Sequence, residues 1–322
     1  MTDGLLREVQ ELIGDAYEIE RELGGGGMSR VFLATERSLG RRVVIKVLPP
    51  EMVSGVSEAR FKREILVTAN LQHPNILPIL AAGAKGDIHY FVTPFVEGQS
   101  LRDRLALQGA LPVADGLQIL SELASALSHA HDRGIIHRDV KPENILLSDG
   151  HAVLADFGIA AACQRATISE HLTQPGQSPG TPGYMAPEQM VDSEAANERV
   201  DVFALGVVAY ELFAGKKPFS GIPPHALAAA YFSGSPPAIG TLVPTLPSAV
   251  ATAITRALAS DPARRFANAG EFYTAVRPTP SDIRALLRRV HRRAALSGAL
   301  LAVVLLGGYL ALSGRLSSGE PN

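Results

Sequence analysis

His137-Arg138-Asp139-Val140-Lys141-Pro142-Glu143-Asn144 sits between a helical pattern upstream and the apolar run Ile145-Leu146-Leu147 downstream. It reads as a loop clamped between two packed elements. Few chemistries call for His, Arg, Asp, Lys and Asn within eight consecutive positions. Phosphoryl transfer to a hydroxyl is one. An Asp accepts the hydroxyl proton, a Lys neutralises the moving phosphoryl group, and an Asn holds a metal ion.

Outward from this loop, the sequence 115–133 has apolar positions Leu117, Leu120, Leu123, Ala124 and Leu127, the spacing of a long helix that delivers the loop. After it come the strand-like Ala152-Val153-Leu154 and then Asp156-Phe157-Gly158. The segment 159–180 is rich in Gly, Pro, Ser and Thr and leads to Gly180-Thr181-Pro182-Gly183-Tyr184-Met185-Ala186-Pro187-Glu188. Asp201 opens an apolar helix, and Arg265 lies in Asp261-Pro262-Ala263-Arg264-Arg265-Phe266.

Towards the N-terminus, 5–13 carries a helical apolar stripe, and 17–23 alternates like a strand. Gly24-Gly25-Gly26-Gly27-Met28-Ser29 then separates it from a second strand pattern. A hairpin of glycines lets backbone lie close against phosphates. Val43-Val44-Ile45-Lys46 ends an apolar run with a lysine, and 57–71 has helical spacing and carries Glu64. Residues 76–80 and 88–96 read as strands flanking the turn Lys85-Gly86-Asp87.

Together these stretches resemble the bacterial, eukaryotic-like Ser/Thr protein kinases over about residues 14–277. The order and separation of Lys46, Glu64, Asp139, Asn144, Asp156, Glu188, Asp201 and Arg265 carry the likeness, since each triplet alone is weak. The resemblance implies an α+β, bilobal kinase fold, with a β-rich lobe near 14–98 and an α-rich lobe near 99–277. It implies ATP bound by Leu23, Gly24, Gly25, Gly26, Gly27, Met28, Val31, Lys46, Thr93 (the gatekeeper position) and Val96 of the hinge. Glu64 pairs with Lys46. Asp139 is the base, Lys141 steadies the transferred group, Thr181 seats the acceptor hydroxyl, and Asn144 with Asp156 holds Mg²⁺. Lys141, two places after Asp139, is the Ser/Thr rather than Tyr pattern. Asp201 supports the loop backbone, His137 props it, and Arg265 is the buried partner of Glu188. One departure is Ser29, where the family pattern has a third glycine.

Arg138 is implied to belong to a basic pocket filled by a phosphate on the 158–180 loop. Thr167, Ser169, Thr173 and Ser178 are the candidate acceptors, and Thr173 is favoured. Protein substrates with Ser/Thr hydroxyls, and a second copy of the chain for autophosphorylation, are the expected partners. The alternative is a pseudokinase scaffold, against which the intact Lys46, Asp139, Asn144 and Asp156 argue.

Composition narrows the rest. The 322 residues have a formal net charge of −2, which gives no reason for a nucleic-acid partner. The single cysteine, Cys163, excludes an internal disulfide and is read as a spacer. Charges in the first 16 residues exclude a secretory signal peptide.

Residues 294–313 contain no charge, and about 20 residues at ~1.5 Å each match a ~30 Å hydrocarbon core. A transmembrane helix is expected there, in a cell membrane. Arg284, Arg288, Arg289, Arg292 and Arg293 precede it and Arg315 alone follows, so the kinase part faces the cytoplasm. Residues 278–293 are then a basic juxtamembrane linker able to meet lipid headgroups, and 314–322 a short outer tail without a sensor domain. One helix without intramembrane charge offers no transport path.

Overall fold

The structure, a computed structural model, describes residues 9–26, 29–48, 58–85, 88–157, 183–191 and 197–277. Residues 9–13 are helical, with Val9 and Ile13 buried against the first sheet. Strands β1 (Tyr17–Gly26), β2 (Ser29–Glu36) and β3 (Arg41–Leu48) follow, then helix α1 (Glu58–Ala69) and strands β4 (Ala81–Lys85) and β5 (Ile88–Pro94). The five strands form one antiparallel sheet in the order β1-β2-β3-β5-β4. Its β-branched and aromatic residues alternate. Phe32, Ala34, Val43, Ile45 and Val92 face one buried cluster, while Phe91 and Leu48 meet Phe61 and Ile65 of α1.

The second lobe begins with the short strand β6 (Gln99–Ser100) and helix α2 (Leu101–Gln108). Ser100 caps α2 in a capping box with Asp103, satisfying two otherwise orphaned N–H groups. Gly98 is required at this junction. Its φ is 152°, and a Cβ there would stand 2.0 Å from the Leu147 carbonyl oxygen. Helix α3 (Val113–His131) buries the stripe read from the sequence, Leu117, Leu120, Leu123, Ala124 and Leu127.

A 3₁₀ turn (Pro142–Asn144) leads into the hairpin β7 (Ile145–Ser148) and β8 (His151–Leu154), closed by Asp149-Gly150, both with positive φ. Helices α4 (Pro187–Val191), α5 (Arg199–Ala214), α6 (Pro224–Ser233), α7 (Ile239–Leu242), α8 (Ser248–Ala257) and α9 (Ala269–Val276) complete the lobe. Helix α5 is buried at every position from Val200 to Phe213, so its apolar residues go all the way round, as expected of a helix at the centre of a core.

The expected α+β architecture, a β-rich lobe followed by an α-rich lobe, is therefore present. One strand is displaced. The sequence 76–80 was expected to pair with 88–96, but β4 is Ala81–Lys85. Pro74 and Pro78 flank Ile76 and cannot donate to a ladder. The start of that segment runs beside Leu154, whose carbonyl accepts the Leu77 N–H at 2.9 Å and whose N–H reaches the Asn75 carbonyl at 2.9 Å, and only its end meets β5, where the Leu80 N–H reaches the Val92 carbonyl at 2.8 Å.

Among the described residues no helix is long and apolar enough to cross a membrane. The transmembrane expectation for 294–313, the linker 278–293 and the tail 314–322 lie outside the described residues. So do Gly27, Met28, Gly158, Cys163, Thr181 and the four loop hydroxyls.

Candidate active site

The site assembles where the β7–β8 hairpin and α3 deliver their ends to α5. Asp201, fully buried in the first turn of α5, accepts the His137 N–H at 2.7 Å, the Arg138 N–H at 2.8 Å and His131 Nε2 at 2.9 Å. The Ala269 N–H reaches His131 Nδ1 at 3.4 Å, so the proton of that ring sits on Nε2 and points at Asp201. Burial alone would raise the Asp201 carboxyl, but the bonds from His131 and the loop outweigh it and hold the group below its usual range.

This clamp sets an unusual loop. Arg138 has φ 68°, a left-handed conformation that bulky residues rarely adopt. Asp156 shares it, also at φ 68°. His137 joins the two. Its Nδ1 accepts the Asp139 N–H at 3.2 Å, its Nε2 donates to the Ala155 carbonyl at 2.9 Å, and its ring packs 4.5 Å from that of Phe157. The Ala155 N–H returns to the Asn144 carbonyl at 2.8 Å. With its backbone N–H and both ring nitrogens engaged and no exposure, His137 is a strut between the loop and the strand end.

On this frame the functional groups converge. Lys141 Nζ lies 2.7 Å from Asp139 Oδ2. Asn144 Nδ2 donates to the Asp139 carbonyl at 2.9 Å and to its Oδ2 at 3.0 Å. Lys46, on β3 of the other lobe, places Nζ 2.6 Å from both oxygens of Asp156. The pairing of Lys46 with Glu64 expected from the sequence lies outside the described residues. Glu64 lies on α1 with its side chain outside the described residues, and the contact described for Lys46 is with Asp156.

Lys46 pairs across β2–β3 with Val31, and Val44 of β3 with Thr93 of β5, so three of the expected nucleotide contacts share adjoining strands. Leu23, Gly24, Gly25 and Gly26 end β1, above which Gly26 pairs with Ser29. Gly24 has φ 138°, open to glycine but strained for other residues, in a strand with a register shift beside it. Val96 follows β5 in the segment that links the lobes. Its neighbour Phe95 donates its N–H to the Arg42 carbonyl at 3.3 Å.

The donor set fits a hard divalent cation. Asp156 offers a carboxylate and Asn144 an amide oxygen, its amide nitrogen being committed to Asp139. Carbonyl and carboxylate oxygens with room for water are what Mg²⁺ takes.

A second anchor lies behind the site. Arg265, 1% exposed, forks onto both oxygens of Glu188 at 2.5 and 2.8 Å and also reaches the carbonyls of Ala259, Ser260 and Arg199. Its guanidinium carbon stands 4.7 Å from the Phe203 ring centre. The sequence reading named this pair. It missed His131, whose signal was a histidine on the buried stripe of α3, and Arg102, bonded to Glu143, Tyr184 and Glu211, which nothing local marks.

A family model for the protein kinase domain matches residues 17–269. The chain is similar to the serine/threonine-protein kinase PrkC of Bacillus subtilis, 36% identical over 259 residues, 80% of this chain and 39% of that protein. It is also 35% identical to the probable serine/threonine-protein kinase PknB of Lactococcus lactis, over 85% of this chain and 43% of the relative. The serine/threonine-protein kinase pkn2 of Myxococcus xanthus is 37% identical over 84% of this chain and 33% of its own. The chain thus spans about two fifths or less of these relatives' length. Among solved structures, Rad53 1-466 in complex with AMP-PNP superposes with a TM-score of 0.68 at 25% identity, covering 82% of this chain and 65% of that one.

Proposed function

The chain belongs to the protein kinase domain family, and from that premise we propose that it transfers the γ-phosphoryl of ATP to Ser and Thr hydroxyls of proteins, itself included. The observation that carries the reading is the Asp139–Lys141–Asn144 group with Asp156, held on a loop clamped by Asp201.

The β1–β2 glycine turn, Val31, Thr93 and Val96 form the nucleotide side. Lys46 reaches across from β3 to orient the phosphates. Asn144 and Asp156 would hold Mg²⁺, which would supply positive charge against the phosphates. Asp139 accepts the proton of the acceptor hydroxyl as its oxygen bonds to the γ-phosphorus and the bond to the β-phosphate oxygen breaks, leaving ADP. A positioned base of this kind contributes roughly 10²–10⁴-fold. Lys141, beside Asp139, meets the negative charge of the group in flight. No covalent enzyme intermediate is needed.

The uncharged run 294–313 supports a single membrane span, with the arginines of 284–293 on the cytoplasmic side. Such an anchor would concentrate kinase domains on one surface, which favours one copy phosphorylating another. The loop hydroxyls Thr167, Ser169, Thr173 and Ser178 are the acceptors this arrangement offers.

The test is incubation of the full chain with Mg-ATP labelled on the γ-phosphate, followed by mapping of the modified residues. Label on Ser and Thr that disappears in Asp139→Asn is expected. Asp139→Asn with wild-type transfer at saturating ATP would remove Asp139 as the base.

A further inference from the structure

Arg42, on β3, holds the link between the lobes at three points. Strand β4 accompanies β5 only as far as Val92, and past Pro94 the chain is held to the sheet by β3. There the Arg42 carbonyl accepts the Phe95 N–H at 3.3 Å. The Arg42 guanidinium carbon stands 5.4 Å from the centre of the Phe95 ring. Its Nη2 lies 3.5 Å from Glu97 Oε1. Arg42 is itself fixed in the sheet, opposite Thr35 of β2.

The far end of the link is fixed too, since Gly98 passes the Leu147 carbonyl with no space for a Cβ. Between these anchors lies Val96, flanked by the two residues that Arg42 holds. The side-chain contacts are exposed, Arg42 by 53% and Glu97 by 78%, so each alone is weak and screened by salt. They draw strength from sharing one side chain, whose ordering cost is incurred once. A planar guanidinium suits the double task, one face on the aromatic ring and one edge on the carboxylate. A main-chain bond at the same residue sets the spacing.

We propose that Arg42 is a positioning residue for the base of the nucleotide. It fixes 95–97 against β3, so that Val96 meets the adenine in one register. The proposal rests on the nucleotide reading above and needs no phosphoryl transfer. The phosphate side is separate, for Lys46 lies four places along β3 and is engaged with Asp156.

The experiment measures binding of ATP, adenosine and inorganic tripolyphosphate to the full chain, by displacement of a fluorescent ATP analogue in the presence of Mg²⁺. The affinity of each variant for the analogue is determined first. In Arg42→Ala the Kd for ATP and for adenosine rises about fivefold, the size expected from one exposed cation–π contact and one exposed ion pair. The Kd for tripolyphosphate, which has no base, stays within about twofold. Arg42→Lys keeps a charge opposite Glu97 but not the flat face over Phe95, and falls between. Adenosine is uncharged, so a salt dependence of its binding acts through the protein. Between about 0.05 M and about 0.5 M salt its binding weakens in wild type, and weakens less in Glu97→Gln.

A thermal melt checks the fold of each variant, and Arg42→Lys with Glu97→Gln carries the test if Arg42→Ala does not fold. A folded Arg42→Ala that binds adenosine as wild type does overturns the proposal. Equal losses for adenosine and tripolyphosphate make Arg42 a general support of the first lobe and overturn it as well. A wild-type chain without affinity for adenosine overturns it together with the nucleotide reading. The expected binding pattern in a chain that transfers no phosphoryl group upholds the proposal and strikes the transfer reading alone.

Discussion

Asp201 accepts the backbone N–H of Arg138 at 2.8 Å across 63 positions of sequence, and Arg138 is the residue held at φ 68°. The two facts belong together. A left-handed arginine costs on the order of 1–3 kcal/mol and persists only where the surroundings over-determine it. Here the carboxylate takes three donors, from His131, His137 and Arg138, and removes every alternative. The next residue, Asp139, is thereby turned towards Lys141.

Asp201→Asn keeps the shape but presents an amide NH₂ to a ring of donors. At least one buried N–H then loses its acceptor, at about 1–3 kcal/mol. The expected result is a fold that survives with a lower melting point and a kcat reduced about 10²-fold, because a displacement of about 1 Å at a reacting group costs that much. Nucleotide affinity, read by titration with a fluorescent ATP analogue, should change little. Full kcat in a folded Asp201→Asn would show that the clamp does not set the loop.

Arg265 offers a separable test, since it lies behind the site and touches no proposed catalytic group. Its five bonds, to both Glu188 oxygens and three carbonyls, exploit a planar fork that lysine lacks. Arg265→Lys should destabilise by about 3 kcal/mol, near the range for a buried pair that loses a partner. Denaturant melts check this. A loss under about 0.5 kcal/mol would place the pair with weak surface bridges instead.

What the sequence showed was chemistry compressed into short runs. The 137–144 loop and the apolar helix behind Asp201 were legible because residue type and local spacing mark them, while Asp156 was reached through the resemblance. The Arg265–Glu188 pair spans 77 positions and was reached through resemblance. Arg102 was not reached at all. An arginine in the first turn of an ordinary capped helix reads as a solvated charge until Glu143, Tyr184 and Glu211 arrive from elsewhere. The displaced β4 has another cause. The 76–80 run is apolar because Ile76 is buried in the second lobe's core beside Leu154 while Ile79 packs against the Phe61–Phe91 cluster of the first, and periodicity cannot tell that burial from a strand.

His89, on β5, is 5% exposed, and neither ring nitrogen has a hydrogen-bond partner among the described residues. Its ring meets Phe61 of α1 edge-on, with centres 4.9 Å apart. A buried polar ring without partners forgoes about 1–3 kcal/mol of solvation, which an apolar group of similar size recovers. His89→Leu should therefore raise stability by about 1 kcal/mol, or about 2–4 °C in melting point for a domain of this size. A clear fall in melting point would mean that the edge contact with Phe61 outweighs the missing hydrogen bonds.

His73 and His129 give a pH dependence with a definite sign. Their ring centres are 5.2 Å apart, where the loop before β4 meets α3. His73 Nδ1 accepts the Asn75 N–H, its Nε2 faces the Ser125 hydroxyl, and His129 Nδ1 faces an Arg133 guanidinium nitrogen at 3.3 Å. Burial first, and the neighbouring His129 second, lower the His73 pKa. Burial and then Arg133 lower that of His129, with Asp132 pulling the other way. A histidine depressed on folding binds fewer protons folded than unfolded near its free value of about 6.5. Its contribution is therefore intact above that pH and is lost as pH falls through the lower folded value. The melting point should drop between pH 7 and pH 5, and His73→Gln with His129→Gln should shallow that slope while changing little at pH 8. Equal slopes in wild type and double variant would assign the acid sensitivity to other groups.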